Sequence, residues 1–298
     1  MALAPPQDLL APIGEVQGRS LWQDARRRLF RNKAAVVAMV VLAVIAAMAV
    51  LAPYLSPHAY DEVYWDRIAI PPQLENAHWF GTDGNGRDLF VRVLYGARIS
   101  LLVGIVATAV ALDIGVTWGA VAGYLGGRVD DVMMRIVDVL YSLPFLFFVI
   151  ILMVVFGRSM FQIFIALGAV EWLTMARIVR GQTLSVKRKE FIEAARAAGV
   201  STPTIRRRHI VPNVLGPVVV YVTLTVPHVI LTESFLSFLV LGVQEPLTSW
   251  GVLISEGAGQ MESYPWMLIF PAIFLAATLF CFNFIGDGLR DALDPKDR

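Results

Sequence analysis

Six stretches of this 298-residue chain are apolar for long enough to cross a lipid bilayer, and that pattern limits it to an all-α polytopic membrane protein. A span needs about 20 apolar residues to cross a hydrocarbon core about 30 Å thick. The candidates lie at 34–52, 98–123, 132–156, 161–179, 212–240 and 267–288. The second and fifth are long enough to tilt or to continue beyond the bilayer. The gaps Tyr124 to Asp131 and Gly157 to Met160 are short, with the Gly and polar residues of tight interhelical turns. The first run contains Ala47-Met48-Ala49, which resembles a signal-peptide cleavage site. More than thirty residues precede the run, however, and it exceeds the h-region length of about 7–15 residues, so an uncleaved anchor is expected.

Orientation follows from Lys and Arg. With a cytoplasmic N-terminus, twenty of the 25 cations fall in inner segments, and only Arg67, Arg87, Arg92, Arg98 and Arg158 fall outside. This predicts a cytoplasmic tail 1–33, an outer loop 53–97 and a core 98–288, followed by a cytoplasmic tail 289–298. Within the core lie an inner loop 181–211 and an outer loop 241–266. Arg26-Arg27-Arg28, just before the first span, suits an orientation signal and a contact with anionic membrane lipids. Tyr54, Tyr264 and Trp266 suit an interfacial belt, and outer loops this long suit docking of an external partner.

Composition excludes several classes. Charged residues make up 16% of the chain, against about 25% in soluble domains. A formal charge of +1 gives no nucleic-acid footprint. One cysteine, Cys281, allows no intrachain disulfide, and His58, His78, His209 and His228 are too scattered in sequence to suggest a metal site. No phosphate loop of the form G-x-x-x-x-G-K-[ST] is present, so the chain is not itself an ATPase. No nucleophile–base pair suggests an enzyme, and no cofactor is expected in this chain.

The inner loop carries the most information. Residues 187–198 are strong helix formers, Gly199 stands where a left-handed cap is needed, and Ser201 with Pro203 can open a second short helix. Ala194, Ala195, Ala197 and Ala198 leave the backbone thinly covered, so another surface can approach, and Glu193 offers a charge to it.

Glu193-Ala194-Ala195-x3-Gly199, followed by Pro212, resembles the coupling loop of bacterial ABC-importer permeases, although His209 and Val211 stand where that family has Ile and Leu. Gly81-Thr82-Asp83-Gly-Asn-Gly86-Arg87-Asp88 is similar to the signature of the peptide and nickel permeases, and the segments at 18–28, 233–238 and 286–298 resemble the oligopeptide branch. The resemblance implies a type I importer permease in the bacterial inner membrane. Its partners would be a second homologous permease, two ABC ATPases that bind ATP and Mg, and an extracytoplasmic peptide-binding protein that delivers oligopeptides. It also implies ATPase coupling at Glu193, Ala194, Ala195, Gly199 and Pro212. Gly81, Thr82, Asp83, Gly86, Arg87 and Asp88 become candidates for contact with the binding protein, the other reading being a turn that opens a helix. Dipeptides, nickel or another small solute are the alternatives within the family. A secondary transporter is the alternative outside it, but lacks support from internal repeats.

Charges within spans need a reason, since each costs about 2.5–3.5 kcal/mol on insertion scales. Asp113 is expected in a helix–helix bond. Glu171 and Glu233 are candidates either for a translocation path or for bundle structure, whereas Asp138 and Asp287, near inner span ends, should be solvated. Pro144, Pro227 and Pro271 mark kinks.

Overall fold

The computed structural model describes residues 21–157 and 159–293. Arg19, Arg158, Lys296 and Arg298, weighed above in the orientation, lie outside them. The described residues form eleven helices and no strand, with a single bridge between Thr82 and Asp88.

Helix α1 (Leu21–Arg31) is amphipathic and meets α2 (Lys33–Leu55) at Asn32, whose side chain caps α2 by accepting from the Ala35 amide at 3.2 Å. Arg26–Arg28 therefore belong to a helix packed on α2 and α11 (Trp266–Leu293), not to a loose tail. Such a helix suits the membrane interface.

Helix α3 (Leu89–Leu125) has 37 residues, about 55 Å at 1.5 Å per residue. It starts nine residues before the expected span, because the Asp88 side chain caps it there, accepting from the Val91 amide at 2.9 Å. Its long packing line against α6 (Met160–Val186) has small residues every fourth position: Ala107, Ala111, Gly115, Gly119 and Gly123. A Cβ on Gly119 would stand 2.4 Å from the Ala176 carbonyl, so the two backbones touch only because the side chain is missing. Lipid gives no hydrophobic reward for helix pairing, and close approach of this kind replaces it.

The expected span 132–156 is broken. Helix α4 (Gly127–Ser142) and helix α5 (Phe145–Phe156) meet at 83°. Pro144 disfavours helical geometry at Leu143 and cannot donate to the ladder, so the chain turns there. Helix α5, at 12 residues, is too short to cross alone. Among the described residues five helices are long and apolar enough to span, and the bent pair is either a sixth, broken span or a re-entrant loop. Asp130 of α4 accepts two bonds from Arg180 of α6, at 2.5 and 2.6 Å, which anchors the amphipathic half.

The inner loop holds α7 (Glu190–Ala197) and α8 (Thr202–Ile205), followed by a π turn, Arg206–Ile210, that runs into α9 (Val211–Phe238). Pro212 has no N–H and its ring crowds the carbonyl four residues back, and just before it the ladder slips to i−5, with the Val211 amide on the Arg206 carbonyl. Helix α10 (Trp250–Ala258), capped by Ser249, lies in the second outer segment before α11.

Candidate functional site

The elbow forms as the sequence predicts. Glu190 and Glu193 sit in the first turn of α7 and Arg196 in its last, each favourable for the helix dipole. At its end the Gly199 amide donates to Arg196 O at 2.9 Å and the Val200 amide to Ala195 O at 3.1 Å, a Schellman closure. Gly199 has φ +76°, where an L side chain is strained, yet a Cβ there would meet nothing within 4 Å. The glycine is needed for backbone shape, and the space beside it is open.

One face of α7 is locked inward. Ile192 is fully buried in a cluster with Tyr124, Met175, Val179, Ile205, Ile210 and Val214, which ties the elbow to α3, α6 and α9. Arg196 and Lys187 lie over the Tyr124 ring, 5.2 and 5.6 Å from its centroid. The other face, Phe191, Glu193, Ala194, Ala197 and Ala198, is exposed, and Ala195 is half-buried. Pro212 stands at the start of α9, behind the elbow.

The Gly81–Asp88 motif is internal and forms the turn that opens α3, the second of its two readings. Gly81, Thr82, Asp83, Gly86, Arg87 and Asp88 are all buried, and only Asn85 is exposed. Asp83 Oδ1 accepts from the Asn85 and Arg87 amides at 2.8 and 2.9 Å, while Oδ2 accepts from Arg87 Nε at 2.8 Å and from Arg92. Arg92 also donates to Glu256 of α10 at 2.9 Å, and Arg87 to Glu245 at 2.9 Å. Burial would push the Asp83 carboxyl up, but the Arg92 and Arg87 guanidiniums outweigh it and hold the group below its ordinary value. Thr82 bonds the Arg67 carbonyl and the Ile70 amide, and Trp266 reaches the Thr82 carbonyl at 3.3 Å. The motif thus knots residues 56–88, α10 and the start of α11 into one outer cap.

Scattered in sequence, three titratable groups meet in that cap. His58 and His78 stack with ring centroids 4.2 Å apart, and His78 Nδ1 bonds Asp88 at 2.8 Å. Every imidazole nitrogen has a partner: Tyr64 and the Asn76 carbonyl for His58, Asp88 and Arg67 for His78. Spacing alone gave no signal for this cluster, because an irregular loop brings the residues together. The outer surface is offered instead by Trp65, Leu74 and Trp79, all exposed.

Among the intramembrane acids, Glu171 and Glu233 have different surroundings. Glu233 is fully buried and knots α3, α9 and α10: Ser237 Oγ donates to it at 2.6 Å and Ser100 Oγ at 3.3 Å, while the Trp250 amide donates to Ser100. Enclosed by these hydroxyls, Glu233 has surroundings that suit the bundle-structure reading. Asp113 makes no bond to another helix among the described residues. It is exposed in a groove with Thr117, Arg206 and Arg207, which corrects the expected helix–helix bond. Asp138 is exposed as expected but pairs with Arg177 at 2.8 Å.

Glu171 lines a cavity of about 710 Å³ between α4, α5, α6 and α9, with His228 Nε2 3.4 Å from its carboxylate. A second hollow shares Glu171 and His228 and continues toward Phe235. Tyr221, Leu224, Thr225, His228, Leu231, Thr232 and Phe235 therefore line one face of α9, about 21 Å long at 1.5 Å per residue. The α4–α5 break opens onto this face.

Comparison with known proteins adds the family. Residues 115–298 match the family described as binding-protein-dependent transport system inner membrane component, and residues 20–72 match the N-terminal TM domain of oligopeptide transport permease C. The chain is 63% identical over 284 residues to the oligopeptide transport system permease protein OppC of Escherichia coli K12, covering 95% of this chain and 94% of that protein. Identity to the Haemophilus influenzae protein of the same name is 58%, covering 95% and 91%. The dipeptide permease DppC of Bacillus subtilis is 49% identical, covering 94% and 87%. Among solved structures, an inward-facing MetNI methionine ABC transporter chain superposes with a TM-score of 0.56 at 19% identity, covering 69% of this chain and 96% of that one. At that identity the match concerns the fold alone.

Proposed function

The chain belongs to the family of binding-protein-dependent transport system inner membrane components, and we propose that it is one of two permease subunits of an ATP-driven importer of oligopeptides. One observation carries the role: an elbow locked by its buried face into α3, α6 and α9 turns a bare, small-residue face outward. A surface of that kind receives force from a partner and passes it to the spans. The choice of oligopeptides over dipeptides rests on the higher identity to the proteins named for oligopeptides.

In this reading two partner ATPases bind ATP and Mg, and their motion enters through α7. The Ile192 cluster carries it to α9, whose lined face forms one wall of the path, and a second homologous permease supplies the opposing wall. The extracytoplasmic binding protein docks on the cap surface around Trp65 and Leu74, while the buried Gly81–Asp88 motif keeps that surface in shape. Reconstitution of the whole complex with loaded binding protein tests the reading. ATP-dependent uptake of labelled tri- to pentapeptides is expected. Uptake confined to dipeptides or to nickel, or uptake without ATP, would overturn it.

In this reading both termini and the elbow lie in the cytoplasm, which the Lys/Arg asymmetry supports. Single cysteines introduced by Ser185→Cys and Asn76→Cys, in a Cys281→Ser background, occupy exposed positions that this topology assigns to opposite sides. An impermeant thiol reagent applied to spheroplasts should label the second and spare the first. The reverse pattern would invert the topology.

A further inference from the structure

We infer that Glu171 is the station that holds the free α-ammonium group of a peptide in transit. The inference rests on the translocation path just described and adds to it what the path recognises.

Glu171 lies near the middle of α6, eleven residues after Met160 and fifteen before Val186. Its side chain is only 11% exposed, yet no Lys or Arg pairs with it among the described residues. Its nearest titratable neighbour is the His228 imidazole, whose side chain is 63% exposed. Arg177, which stacks on the cavity-lining Tyr141 at 4.3 Å, is already matched by Asp138 at 2.8 Å. The cavity therefore keeps a carboxyl group with no guanidinium or ammonium partner among the described residues. Glu233 shows the contrast, since it is fully buried and its oxygens are served by serine hydroxyls.

A second feature favours a cation at the same place. Helix α4 stops at Ser142 on the cavity rim, so its carbonyl end, equivalent to about half a negative charge, lies at the opening. Broken spans whose carbonyl ends meet a cavity are a recurrent way of holding cations in transporters. The remaining walls are Leu140, Leu143, Phe145, Phe148 and Leu224, with hydroxyls from Thr174 and Tyr221. Apolar walls accept side chains without selecting among them. The terminal ammonium is the cation that every unmodified peptide brings, so one carboxylate can serve substrates of any sequence.

The test uses the complete transporter with Leu140→Cys in the Cys281→Ser chain. Leu140 lines the cavity and is 38% exposed. The labelling rate of that cysteine by a small maleimide is measured with trialanine, N-acetyl-trialanine or N-acetyl-Ala-Lys-Ala present. Trialanine should half-protect at a concentration about tenfold lower than either acetylated peptide. Glu171→Gln should bring all three within about twofold, and Glu171→Asp should restore the preference. Equal protection by trialanine and its acetylated form with Glu171 intact overturns the ammonium station and leaves the path standing. Equal protection by the acetylated lysine peptide and trialanine overturns the assignment to the terminus. Protection by none of them overturns the path itself.

Discussion

Glu193→Lys and Gly199→Asp should each abolish peptide uptake while the chain still inserts and assembles its own bundle. Neither residue is in a span, and neither packs inward: Glu193 is exposed, and a side chain on Gly199 would enter open space. For Gly199 the local cost is the left-handed φ of +76°, on the order of 1 kcal/mol or more for a non-glycine residue. That amount would fray the Schellman closure without unfolding a protein of this size. The larger effect is expected at the proposed contact with the ATPase, where a new carboxylate would meet a close-fitting surface. If Glu193 pairs with a cation in that proposed contact, reversing it would leave the cation unpaired, at about 2–5 kcal/mol, or roughly 30-fold to several thousand-fold in affinity. Gly199→Ala separates the two causes, since it brings strain without charge and should keep partial uptake. The measurement pairs uptake with ATPase activity stimulated by loaded binding protein. Normal values of both in Glu193→Lys and Gly199→Asp would reduce the elbow to a basic linker.

The elbow was legible because every determinant is local: helix formers, a C-terminal glycine and a Ser-x-Pro restart lie within twenty residues. The spans were legible for a similar reason, since apolar length depends on no partner. What stayed hidden depends on residues far apart in sequence. Hydropathy averaged over the run 132–156 merges the amphipathic α4 with the wholly apolar α5, and so misses that Leu143-Pro144 divides them at 83°. A proline within the run was the available signal, and its consequence was underestimated as a kink. Residues 89–97 were assigned to the outer loop, but Asp88 caps a helix there, and its first turns are buried by α10 and α11 instead of lipid. Glu171 and Glu233 looked alike in sequence. Only the fold gives Glu233 its serines and leaves Glu171 in a cavity.

Asp83→Asn should loosen the whole outer cap, an effect of about 3–5 kcal/mol on its local stability, because the change strips a shared carboxylate from two buried guanidiniums. Arg92 has only 2% of its side chain exposed and keeps Glu256 alone, while Arg87 keeps the more exposed Glu245. The two backbone amides that Asp83 now satisfies, on Asn85 and Arg87, hold the turn that leads into Asp88 and α3. Hydrogen exchange of residues 81–88 should speed up by at least 100-fold, with transport failing where the binding protein docks. The acid response separates this charge from mere packing. The folded carboxyl titrates below its ordinary value of about 3.9, so its contribution is fully present above that value and is lost as pH falls through the lower, folded one. Protection of residues 81–88 should therefore persist from pH 7 to near 4 and decline only below that. In Asp83→Asn the decline should lose the part due to this group. An unchanged exchange rate in the variant, at either pH, would mean that Glu245 and Glu256 suffice and that the motif's aspartate does not hold the cap.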